Sequence, residues 1–100
     1  MSNAAMIGEG QRKAMDWLQG APKRMLIGGQ WVDALSGKTF DTSDPATETT
    51  LARVAEAESA DIDAAVVAAR RAFEAPTWTG ISPHARARFL LKIADAVERH

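Results

Sequence analysis

"RMLIGGQWVDALSGKTF", residues Arg24 to Phe40, places two adjacent glycines, Gly28 and Gly29, between two apolar runs. Such a pair either cradles a phosphate or turns the chain, and the flanking residues decide between them. A dinucleotide loop needs G-x-G-x-x-G between a strand and a helix, and a P-loop needs G-x-x-x-x-G-K-[ST]. Here the glycines touch, and β-favouring residues lie on both sides: Met25, Leu26 and Ile27 before, Trp31 and Val32 after. Two residues that accept positive φ between two such runs predict a tight β-hairpin.

The same reading extends downstream. Gly37 in "LSGK" suits a second turn, leading into "TFDTSD", where Thr39 and Asp41 alternate with Phe40 and Thr42 as in a half-buried strand. Pro45 ends that strand and "PATETT" turns. "LARVAEA" then alternates again, with Leu51 and Val54 set among Arg53 and Glu56, which predicts a further short strand.

Helical spacing takes over at Ser59-Ala60-Asp61, where either Ser59 or Asp61 can accept the amide hydrogens that open a helix. Ile62, Val66, Ala69 and Phe73 then form one apolar stripe. Pro76 and Gly80 break it, and Ser82-Pro83 supplies an N-cap followed by proline at the first helical position. The helix beyond carries Ala85, Phe89, Ile93 and Val97 at nearly helical spacing, widened by Leu90 and Ala94. It reaches His100 without glycine, asparagine or proline to terminate it, so this helix is expected to be cut short. Upstream, "QRKAMDWL" sets Ala14, Met15 and Leu18 on one face of a short helix from Gln11 to Leu18, stopped by Gly20 and Pro22. Ser2-Asn3-Ala4 reads as a purification-tag scar as readily as a natural start, and residues 1–10 carry no weight in the expected fold.

One hundred residues make one small domain with a thin core. Much of the 46 % hydrophobic fraction is alanine, which buries little per residue. A net charge of −1 and the lack of a basic stripe argue against nucleic acid and anionic membrane as partners. Nowhere does the chain hold the ~18 consecutive apolar residues of a membrane span, and its start lacks a secretory core, so a cytoplasmic location is expected. Cysteine is absent, which removes disulfides, thiolate metal sites and a thiol nucleophile from these residues.

The remaining chemical candidates have plainer explanations. His84 has no cysteine partner and follows Pro83 in a first turn, where it is solvated. His100 adds nothing to a metal site. The pairs Asp61 with Asp63 and Glu56 with Glu58 lack the ligand loop of an EF-hand, and the first pair complements a helix dipole. Arg70, Arg71, Arg86 and Arg88 suit a solvated helix face better than carboxylates of another domain. Trp31, Trp78 and Phe40 are expected to be packing residues.

Taken together, four stretches resemble the amino-terminal region of the aldehyde dehydrogenase superfamily. They are I-x-G-x-W at Ile27 to Trp31, F-x-T-x-[ND]-P-A-T at Phe40 to Thr47, D-[IV]-D-x-A-V-x-A-A-R-x-A-F at Asp61 to Phe73, and the segment Trp78 to Leu90. The likeness runs from about Met25 to His100, and the residues before it look most like the extended starts of phenylacetaldehyde-type bacterial members. One departure is local: after P-A-T the family usually has glycine then glutamate, whereas this chain has Glu48 and Thr49, which removes a residue suited to positive φ.

The resemblance implies an α/β fold in which residues 1–23 form an extension with a short helix. Residues 24–100 then form the start of the dehydrogenase domain: β-hairpin strands followed by two amphipathic helices, an incomplete part of the Rossmann-like coenzyme domain. It implies a parent that oxidises an aldehyde to a carboxylic acid with NAD or NADP and assembles as a homodimer or homotetramer. The family's nucleophilic cysteine, general-base glutamate, oxyanion-hole asparagine and coenzyme-binding segments all lie beyond the matched region. This stretch therefore inherits no catalytic, cofactor-binding or metal-site residue, and is expected to be inactive alone, with the rest of the dehydrogenase chain as its partner. Some members hold a cation with backbone carbonyls at the turn matching Thr42 and Ser43. The alternative is a stand-alone interaction module that uses the two apolar stripes for binding.

Overall fold

The computed structural model describes residues 8–100, so the tripeptide Ser2-Asn3-Ala4 lies outside the described residues. The elements are, in order, α1 (Glu9–Gln19), β1 (Met25–Ile27), β2 (Gln30–Val32), β3 (Thr39–Ser43), β4 (Thr50–Ala55), α2 (Ser59–Glu74), α3 (Pro76–Thr79) and α4 (Pro83–Arg99). The chain divides into two units, Met1–Ala65 and Val66–His100, with the division inside α2.

In the first unit, β1 and β2 form the expected hairpin, Ile27 facing Gln30 across the two-glycine turn. Gly28 and Gly29 have φ of 60° and 78°, the positive values that a two-residue hairpin turn of type I′ demands at both central positions. Leu26 and Trp31 pair across the strands on an exposed face, while Met25, Ile27 and Val32 are half-buried. The second turn also forms where expected: Gly37, at φ 74°, donates its N–H to the Ala34 carbonyl at 2.8 Å.

Strands β3 and β4 pair antiparallel, with an irregularity between Thr42 and Ser43. The main chain at Lys23 joins the other edge of β4: Lys23 N–H donates to the Arg53 carbonyl and Ala55 N–H to the Lys23 carbonyl, both at 2.8 Å. Helix α1 packs against β4. It begins at Glu9, two residues before the expected Gln11, since the acidic Glu9 suits a helix amino terminus.

The expected alternation along β4 is not how the strand is buried. Ala52 and Ala55 are the buried residues, Val54 is half-buried and Leu51 is exposed. Residues an odd number apart point to opposite faces of a strand, so Ala52 and Ala55 show that β4 is covered on both faces. Small side chains permit that close approach. Phe40 on β3 is likewise exposed, although Thr42 on the same face is half-buried.

The connection between β3 and β4 is organised by Asp44. Its carboxylate accepts the Ala46 N–H at 2.9 Å, its carbonyl accepts the Glu48 N–H at 2.7 Å, and its own N–H donates to the Thr49 carbonyl at 2.8 Å. Glu48 adopts φ 59°, the left-handed conformation, and among the described residues no other non-glycine residue has a positive φ. The turn therefore places a glutamate in a conformation that glycine adopts freely, at a backbone cost of about 1 kcal/mol.

In the second unit, α4 opens as expected: the Ser82 hydroxyl accepts the Ala85 N–H at 3.1 Å and Pro83 is the first helical residue. The break before it is more ordered than expected. Pro76 starts the single turn α3 rather than only ending α2, because proline lacks the N–H that a first helical residue leaves unpaired. Gly80 closes that turn by donating to the Pro76 carbonyl at 2.8 Å. Trp78 meets Phe89 edge to face at 5.8 Å between ring centroids, and the Arg86 guanidinium lies over Trp78.

Candidate functional site

Among the described residues the buried charged side chain is Asp61, which is 4 % exposed. Its Oδ2 accepts the Glu58 N–H at 2.9 Å, and its Oδ1 accepts the Leu35 N–H at 3.0 Å. The first bond is half of a capping box: the third residue of α2 reaches back to the residue preceding the helix. The second clips the loop after β2 to the start of α2. Helix-dipole complementarity accounts for an acid in this first turn, but sequence spacing carried no signal for the bond to Leu35. Both oxygens are engaged with backbone, so Asp61 is a structural tie, with no lone carboxylate oxygen turned toward a substrate or cation.

The other candidates are surface residues. His84 is exposed in the first turn of α4, and Asp63 is exposed on α2. Glu58 pairs with Lys38 at 3.5 Å and Arg70 with Glu74 at 2.8 Å, both at the surface, where such pairs contribute under ~1 kcal/mol. Among the described residues no three His, Cys, Asp or Glu side chains come together to hold a metal ion. Thr42 and Ser43 sit at the end of β3, flanking its irregularity. Gly28 and Gly29 join strand to strand, so their amides are not presented at a helix amino terminus, where a dinucleotide phosphate would bind.

Apolar surface is what the chain does present. Ile62, Val66 and Phe73 on α2, and Phe89, Ile93 and Val97 on α4, are each more than half exposed. Of the tryptophans expected to be packing residues, Trp31 is 66 % exposed, whereas Trp78, 44 % exposed, packs edge to face on Phe89. Among the described residues the buried hydrophobic ones are Ala34, Ala52 and Ala55. Soluble proteins seldom leave rows of large side chains bare unless another surface covers them, since covering each contributes roughly 1.5–3 kcal/mol. A groove of about 560 Å³ also opens between the end of α1 and the hairpin, lined by residues including Trp17, Lys23, Arg24 and Trp31. No described helix is long and apolar enough to cross a membrane.

Residues 31–100 match the aldehyde dehydrogenase family, and the chain belongs to that family. It is 49 % identical over 77 residues to aldehyde dehydrogenase 1 of Tanacetum cinerariifolium, covering 77 % of this chain and 15 % of that protein. It is 44 % identical over 87 residues to phenylacetaldehyde dehydrogenase of Pseudomonas fluorescens, covering 87 % of this chain and 17 % of the relative. Among solved structures, the NAD+ complex of an aldehyde dehydrogenase from Bacillus cereus superposes with a TM-score of 0.74 at 41 % identity, covering 94 % of this chain and 18 % of that one. The chain thus spans under a fifth of the length of these relatives.

Proposed function

We propose that these residues are the amino-terminal piece of an NAD- or NADP-dependent aldehyde dehydrogenase that oxidises an aldehyde to a carboxylic acid, and that this stretch is inert by itself. The observation that carries the reading is the family match over residues 31–100 together with the bare faces of α2 and α4. Its role is architectural: the hairpins and the two long helices complete one flank of a Rossmann-like coenzyme domain whose remainder covers those faces. The parent acts as a homodimer or homotetramer in the cytoplasm.

Two features support a role without coenzyme contact. The adjacent glycines close a hairpin, and Asp61 is buried against two backbone amides rather than presented at the surface. Coenzyme contacts belong to the rest of the parent, as does the thiolate that attacks the aldehyde, because this sequence contains no cysteine.

Reading the coding sequence beyond the codon for His100 tests the proposal. A frame continuing into a cysteine-bearing catalytic region supports it, and a stop codon there, with a stable product of this mass, overturns it in favour of a stand-alone module. A second test adds aldehyde and NAD+ or NADP+ to the purified 100-residue chain. No reduced coenzyme is expected to form, and a reproducible aldehyde-dependent rate would contradict the assignment of inertness.

A further inference from the structure

We draw no further inference here: the strongest candidate, the open groove between the end of α1 and the β1–β2 hairpin, has both of its cations engaged within the chain, Lys23 with Trp17 and Arg24 with Asp33, and nothing in the structure shows what covers it.

Discussion

Asp61 holds the Leu35 amide at 3.0 Å across 26 positions of sequence while its other oxygen caps the start of its own helix. One buried carboxylate thus fixes where α2 begins and where the loop after β2 ends. Hydrogen bonds to a charged acceptor contribute about 1.5–3 kcal/mol each, and removing the acceptor leaves two donors unsatisfied. Asp61→Ala is expected to speed amide exchange at Leu35 and Glu58 by roughly tenfold or more. Asp61→Asn should leave one of the two bonds intact. Unchanged protection of both amides in Asp61→Ala would show that the clip contributes nothing.

Glu48 carries the left-handed conformation without the freedom of glycine. Glu48→Gly removes that strain, partly offset by greater freedom of the unfolded chain, and should raise unfolding stability by about 0.5–1 kcal/mol. The urea midpoint measures it, and a lower midpoint would mean that the glutamate side chain has a compensating contact.

The glycine turn separates two kinds of substitution. At Gly29 an added Cβ meets nothing within 4 Å, so the penalty of Gly29→Val comes from backbone alone, about 1–2 kcal/mol. It should weaken the nuclear Overhauser contacts between Leu26 and Trp31 across the hairpin. Gly28→Asn should preserve them, since Asn-Gly is the preferred pair for this turn. Equal loss in both variants would argue against the turn geometry.

The bare faces of α2 and α4 predict effects of opposite sign in two settings. In the 100-residue chain, Phe73→Glu with Ile93→Lys should reduce light scattering and binding of a hydrophobic dye. In the full-length parent the same pair should lower the Tm, because charges would be placed against covered surface. A parent that tolerates both without loss would show these faces to be solvent-exposed there as well.

Ser82 gives the simplest test of a cap. Ser82→Ala should destabilise the first turn of α4 by about 1 kcal/mol, read as faster exchange of the Ala85 amide. Ser82→Asp should restore protection, because aspartate caps equally well.

Local chemistry made much of this fold legible. The adjacent glycines, the Ser82-Pro83 pair and the four-and-three spacing from Ile62 to Phe73 each dictate backbone geometry within a few residues of themselves. What escaped depends on contacts distant in sequence. Ala52 and Ala55 are buried because Lys23 and α1 lie beside β4, and no alternation in "LARVAEA" records that neighbour. Asp61 reads as a helix-start charge until Leu35 arrives. Pro76 was legible in principle, since the preference that places Pro83 at the head of α4 applies to it equally. The candidate site left no such local signal: what the described residues expose is the apolar faces of α2 and α4, and neither stripe records what would cover it.

The backbone pairing of Lys23 with Arg53 and Ala55 also constrains the order of events during synthesis. As the chain leaves the ribosome, every backbone bonding partner within α1 and the glycine hairpin is present once Val32 has emerged, because those bonds are local. The main chain at Lys23 must wait, unpaired, until β4 is out, and the Leu35 amide waits further for Asp61. The bonds that tie these local pieces together are therefore all available only when translation passes the opening turn of α2.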